Sequence, residues 1–135
     1  MVDTNHAFHG SIHRWLDAQS ELVWASCPIT ENGLIRVLSQ PNYRGGVKSP
    51  MEVMDILAGM KASEPWRHVF WPDDFSVNEP GALFPERIIG SKQVTDAYLA
   101  GLALKNGGRL VTYESGIAWY AVQGGTKALI EIPIL

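Results

Sequence analysis

A chain of 135 residues, 46% hydrophobic and 19% charged, has the length and balance of one compact domain, expected to span residues 1–135, and lacks the polar bias of disordered chains. A single cysteine, Cys27, excludes an intramolecular disulfide and is expected to be a small buried side chain in a cytoplasmic protein. A formal net charge of -3 excludes a protein that grips nucleic acid through bulk positive charge, and no stretch approaches the ~18 consecutive apolar residues of a membrane span.

Taken in chain order, Ile12, Trp15, Leu16 and Gln19 recur at helical spacing and predict a short amphipathic helix from about Gly10 to Gln19. Leu22-Val-Trp-Ala-Ser26 is short, apolar and β-branched or aromatic, the pattern of a strand buried on both faces. Pro28 then opens a helix that ends near Leu38, before Pro41-Asn42. Gln40 to Lys48 reads as a surface loop. Ser49-Pro-Met-Glu52 is a capping box with proline at the first helical position, and the helix it starts should run to about Ala62 and bury Val53, Ile56, Leu57 and Met60.

His68-Val-Phe-Trp-Pro72 reads as a second strand and Asp73 to Pro85 as a loop with room for a helical turn. Val94 to Lys105 is a helix apolar nearly all round, stopped by Asn106-Gly107-Gly108. Arg109-Leu-Val-Thr-Tyr113 and Ala128-Leu-Ile-Glu-Ile-Pro133 complete four predicted strands. Strands alternating with helices predict an α/β fold with a parallel sheet.

In such a sheet the functional crevice lies beyond the carboxyl ends of the strands. Three acids fall at suitable places: Glu31 in the first turn of the helix after the first strand, Asp96 near the start of the helix before the third, and Glu114 directly after Tyr113. Converging carboxylates repel unless a cation neutralises them. An all-oxygen set without nearby His or Cys suits Mg²⁺ or Mn²⁺ rather than Zn²⁺, and that is the chemistry of phosphodiester hydrolysis. The plainer explanation of Glu31 and Asp96 is that helix starts favour acids whatever the function, and that Glu114 is a loop acid.

Resemblance adds to this. Cys27-Pro-Ile-Thr-Glu-Asn-Gly-Leu-Ile-Arg-Val-Leu-Ser39 with Pro41-Asn42 closely resembles the segment that carries the second acid of VapC-type PIN-domain toxins. Phe70-Trp-Pro-Asp73 resembles that family's next strand. Gln93-Val-Thr-Asp-Ala-Tyr-Leu-Ala-Gly-Leu-Ala103 followed by Gly107-Gly-Arg-Leu-Val-Thr112 resembles its third-acid motif and the strand behind it. The matches run from about His6 to Glu114. The resemblance implies a three-layer α/β/α sandwich with a central parallel sheet, RNA cleavage with Mg²⁺ or Mn²⁺, a cognate antitoxin and a homodimer. It also implies catalytic roles for Glu31 and Asp96, with Glu31, Asp96 and Glu114 as the second, third and fourth metal-binding acids; Glu114 stands where the family usually has Asp.

The N-terminus departs from the family, which has an apolar first strand ending in Asp-X-Asn. Here only Met1 and Val2 precede Asp3-Thr-Asn5, too few for a strand of about five residues, so Asp3 is read as a loop residue. The sequence is therefore expected to lack the first strand and first acid, either because the frame starts upstream or because the chain is a remnant. In the remnant case it would be a catalytically impaired PIN-like module that keeps only partner binding. His6, His9 and His13 are read as helix-surface residues, Arg36, Arg44 and Lys48 as solvated cations, and His68 has no evident partner.

Overall fold

The computed structural model describes residues 22–41, 48–64, 66–112 and 116–131. The predicted helix from Gly10 to Gln19, Asp3, the three N-terminal histidines, Arg44 and Glu114 lie outside them. The described residues fall into two compact units, those up to Asp73 and those from Asp74 on.

In the first unit, strand β1 (Val23–Ser26) leads into helix α1 (Pro28–Leu38), followed by helix α2 (Pro50–Ala62) and strand β2 (Arg67–Phe70). Proline at the first helical position starts both helices, where a missing N–H costs nothing. At α1 the Thr30 hydroxyl accepts the Cys27 N–H at 2.9 Å, and Cys27 itself is buried as expected. At α2 the predicted capping box is formed: Ser49 Oγ accepts the Glu52 N–H at 3.1 Å, and Glu52 accepts the Ser49 N–H at 3.3 Å. Val53 and Leu57 are buried and Ile56 and Met60 half-buried, so α2 turns the predicted face inward. Strands β1 and β2 are parallel, with Val23 opposite Arg67, Trp24 opposite His68 and Ser26 opposite Phe70. The first strand is less enclosed than its composition predicts. Val23 is 55% exposed and only Ser26 is buried, because β2 is its only strand partner among the described residues.

The second unit contains a 3₁₀ turn (Pro85–Arg87), helix α3 (Lys92–Lys105), strand β3 (Leu110–Val111), two further 3₁₀ turns (Trp119–Ala121 and Lys127–Leu129) and strand β4 (Ile130–Glu131). Helix α3 buries Ala97, Tyr98 and the run Ala100 to Ala103. Small side chains let neighbours approach closely: a Cβ on Gly101 would stand 2.9 Å from the Phe75 ring, which itself stacks on Tyr98 at 4.6 Å. The helix stops where the glycines predict. Gly107 has φ of 72°, which costs a Cβ-free residue little, and the Gly108 N–H bonds back to the Ala103 carbonyl at 2.8 Å.

Strands β3 and β4 are again parallel, pairing Leu110 with Ile130 and Val111 with Glu131. The last predicted strand is shorter than its composition suggests, since Lys127–Leu129 forms a 3₁₀ turn and the ladder begins only at Ile130. The described strands thus form two parallel pairs, a mixed helix and strand arrangement of the α/β type. No helix among the described residues is long and apolar enough to cross a membrane.

Candidate active site

The polar chemistry of the first unit gathers where β1 runs into α1. Alternation along a strand places Trp24 and Ser26 on one face, and the parallel register brings His68 and Phe70 of β2 to the same face. Ser26, the last residue of β1, is 8% exposed. Five residues on, in the first turn of α1, Glu31 turns back toward it, and the Ser26 hydroxyl donates to Glu31 Oε2 at 2.5 Å. From the last turn of α2, Lys61 Nζ reaches the same oxygen at 2.8 Å. His68 Nε2 lies 2.7 Å from Ser26 Oγ and its ring is 4.5 Å from that of Trp24, tilted by 58°.

Hydrogen-bond accounting orients the group. The single Ser26 proton is committed to the carboxylate, so the contact with His68 requires an Nε2–H that donates to the hydroxyl. The order is His68 to Ser26 to Glu31, with Lys61 closing on the far side.

The electrostatics agree. Burial pushes the Glu31 carboxyl up, but the Lys61 and Ser26 hydrogen bonds and the nearby positive charge outweigh it and hold the group below the usual carboxylate range. Burial and the Lys61 charge push the His68 imidazole down, against a smaller pull from Glu31, so the ring is neutral at pH 7. Glu31 is therefore a braced, ionised carboxylate. Both hydrogen bonds fall on Oε2, and Oε1 accepts none among the described residues.

Asp96 lies in the second unit, as the fifth residue of α3 and half-buried; the first turn of that helix holds no acid. The helix-start placement predicted for Glu31 is found, whereas Asp96 lies two residues further from the helix start than predicted, because α3 begins at Lys92 rather than at Val94. Among the described residues no three His, Cys, Asp or Glu side chains lie close enough together to hold a metal ion. The contacts of Ser26, Lys61 and His68 join residues far apart in the chain, which no local pattern in the sequence marks. Only the position of Ser26, at the carboxyl end of a strand, was a usable signal.

No protein-family model matches the chain. Its amino-acid sequence is 40% identical over 127 residues to Ribonuclease VapC44 of Mycobacterium tuberculosis, covering 94% of this chain and 87% of that protein. The chain belongs to the VapC family of PIN-domain proteins. Ribonuclease VapC39 of the same organism is 34% identical over 125 residues, covering 93% and 88% of the two chains. Ribonuclease VapC38 is 34% identical over 119 residues, covering 88% and 81%. The Ser26, Lys61 and His68 contacts come from the structure itself.

Proposed function

We propose that this VapC protein is the toxin of a toxin–antitoxin pair, a Mg²⁺- or Mn²⁺-dependent endoribonuclease that acts in the cytoplasm. The observation that carries the reading is Glu31: a carboxylate in the first turn of the helix that follows β1, held low by its neighbours, in a chain 40% identical to a ribonuclease. In this reading the two units form one PIN domain, a three-layer α/β/α sandwich with a central parallel sheet. Glu31, Asp96 and Glu114 bind the metal, and Glu31 and Asp96 are catalytic. A cognate antitoxin and a second copy of the chain are its protein partners, and RNA is its substrate.

At this face of the first unit, Glu31 is the residue that could contribute to holding a hard cation. Glu31 offers an oxygen donor, Oε1, that no described side chain occupies, and its charge is present at neutral pH. A divalent ion held there supplies Lewis acidity for activating water and for neutralising phosphate charge. The chain's own part is to present the ligand: Ser26 fixes the rotation of the carboxylate, and neutral His68 fixes the hydroxyl that does so.

Cleavage of an RNA substrate in Mg²⁺ or Mn²⁺ tests the proposal. Glu31→Gln and Asp96→Asn should each lower the rate by about 100-fold or more, of the order seen when a charge-stabilising group is removed from an active site. Chelation with EDTA should abolish cleavage and added Mn²⁺ restore it. Undiminished cleavage by Asp96→Asn would remove that residue from the site. Lys61 already neutralising Glu31 favours a second reading, a PIN-like module that has lost activity and keeps its partner interface. Wild-type chain that binds an antitoxin but cleaves no RNA at any metal concentration would establish it.

A further inference from the structure

Lys61 takes no part in the chemistry proposed above, yet its ammonium sits 2.8 Å from the carboxylate at the centre of that chemistry. The contact is built. The Lys61 side chain is 33% exposed and that of Glu31 only 19%, and Lys61 comes from the last turn of a helix whose start is locked by a full capping box. Its ammonium also lies 5.9 Å from the centre of the Phe70 ring, on the same face of the strand pair. Two donors, Ser26 and Lys61, converge on Oε2, which fills both lone pairs of that oxygen.

We propose that Lys61 is the chain's own counter-charge for Glu31 and sets how tightly that carboxylate takes a divalent cation. The inference rests on reading Glu31 as a metal ligand. With Oε2 saturated, Glu31 has only Oε1 to offer, so it serves as a one-oxygen ligand unless the Lys61 ammonium withdraws. Either way a second positive charge on this carboxylate works against the first, to an extent that salt weakens because both side chains keep some exposure. Without metal the same ammonium keeps Glu31 from being an unpaired, partly buried charge. Lys61 is thus a positioning and affinity-setting residue rather than a catalytic one.

Titration of Mn²⁺ into the whole chain, followed by the electron paramagnetic resonance signal of the free ion, tests this without reference to RNA cleavage. Lys61→Met and Lys61→Gln should both bind Mn²⁺ about tenfold more tightly than the wild type at low salt, with the gain shrinking as salt rises. Lys61→Arg keeps the charge and should stay near the wild type. The metal-free Lys61→Met protein should melt at a lower temperature than the wild type and recover most of the difference in excess Mn²⁺. A plain staple between α2 and α1 predicts the opposite, because losing it would loosen Glu31 and weaken binding. Equal or weaker Mn²⁺ binding by both neutral variants therefore overturns the proposal.

Glu31→Gln separates the two levels of inference. If it loses Mn²⁺ binding while the neutral Lys61 variants match the wild type, Lys61 has no such role and the metal reading stands. If it binds Mn²⁺ as the wild type does, or if the wild type binds none, the metal reading falls and takes this proposal with it.

Discussion

In the first unit the face shared by β1 and β2 carries Ser26 and His68, and Glu31 and Lys61 close over Ser26 from two helices, so hydrogen bonds and charge decide how that face is organised. In the second unit the centre is α3, whose Ala97, Ala100, Gly101 and Leu102 are buried against aromatic and aliphatic neighbours, and the ion pairs Lys105 to Asp74 and Arg109 to Glu131 stay toward solvent. A small, half-open strand pair tolerates ionised groups because each has a partner within hydrogen-bond reach. A helix lined with small residues gains its stability from close approach instead. The two units should therefore respond to different perturbations.

The largest effect is expected in the second. Leu102 is 1% exposed on the inner face of α3, and Leu102→Ala should cost about 2–5 kcal/mol in urea unfolding, the usual range for a buried leucine. A cost under about 1 kcal/mol would mean that α3 is less central than its burial indicates. Next comes Ser26→Ala, which strips Glu31 and His68 of their shared hydroxyl and should cost about 1–3 kcal/mol by leaving partly buried partners unsatisfied. Unchanged stability there would show that the polar face of the first unit is ornamental to folding. Ser49→Ala removes the cap of α2 and should lower stability by about 1 kcal/mol, measurable as a small shift of the unfolding midpoint.

The gentlest expected effect is of pH on the metal-free protein. The Glu31 carboxyl is held low, so the stability it contributes is present above the unfolded carboxylate value of 4.5 and is lost as pH falls through its lower folded value. The His68 imidazole is also held low, so the unfolded chain takes up a proton near the usual 6.5 before the folded one does. Both favour the folded state at neutral pH and weaken it in acid. Unfolding midpoints should decline as pH falls from 7 to 4, and His68→Gln should flatten the upper part of that decline. An identical profile for His68→Gln would remove His68 from the network.

Much of this architecture was legible in the amino-acid sequence. The capping box at Ser49 and Glu52 and the Gly107 stop after α3 are local signals, and each reads out within a few residues. Glu31 could be placed because Pro28 announces the start of α1 and the acid follows within one turn. The start of β4 was not legible, because a strand extends only where a partner runs beside it: Ala128 and Leu129, predicted to belong to the strand, fall in the Lys127–Leu129 3₁₀ turn.

What the sequence by itself determined is the order of the main helices and strands among the described residues, the parallel character of the strands and the place of Glu31 in the first turn of α1. What only the tertiary structure decided is the company Glu31 keeps. Lys61 is thirty positions from Glu31 and His68 is 42 from Ser26. No periodicity spans such gaps. They are bridged by the register of β1 on β2, which sets Trp24 opposite His68, and by the packing of α2, which aims its last turn at the carboxylate. Local preference acts over a few bonds, whereas the field around an ionised side chain depends on every group the fold brings within a few ångströms.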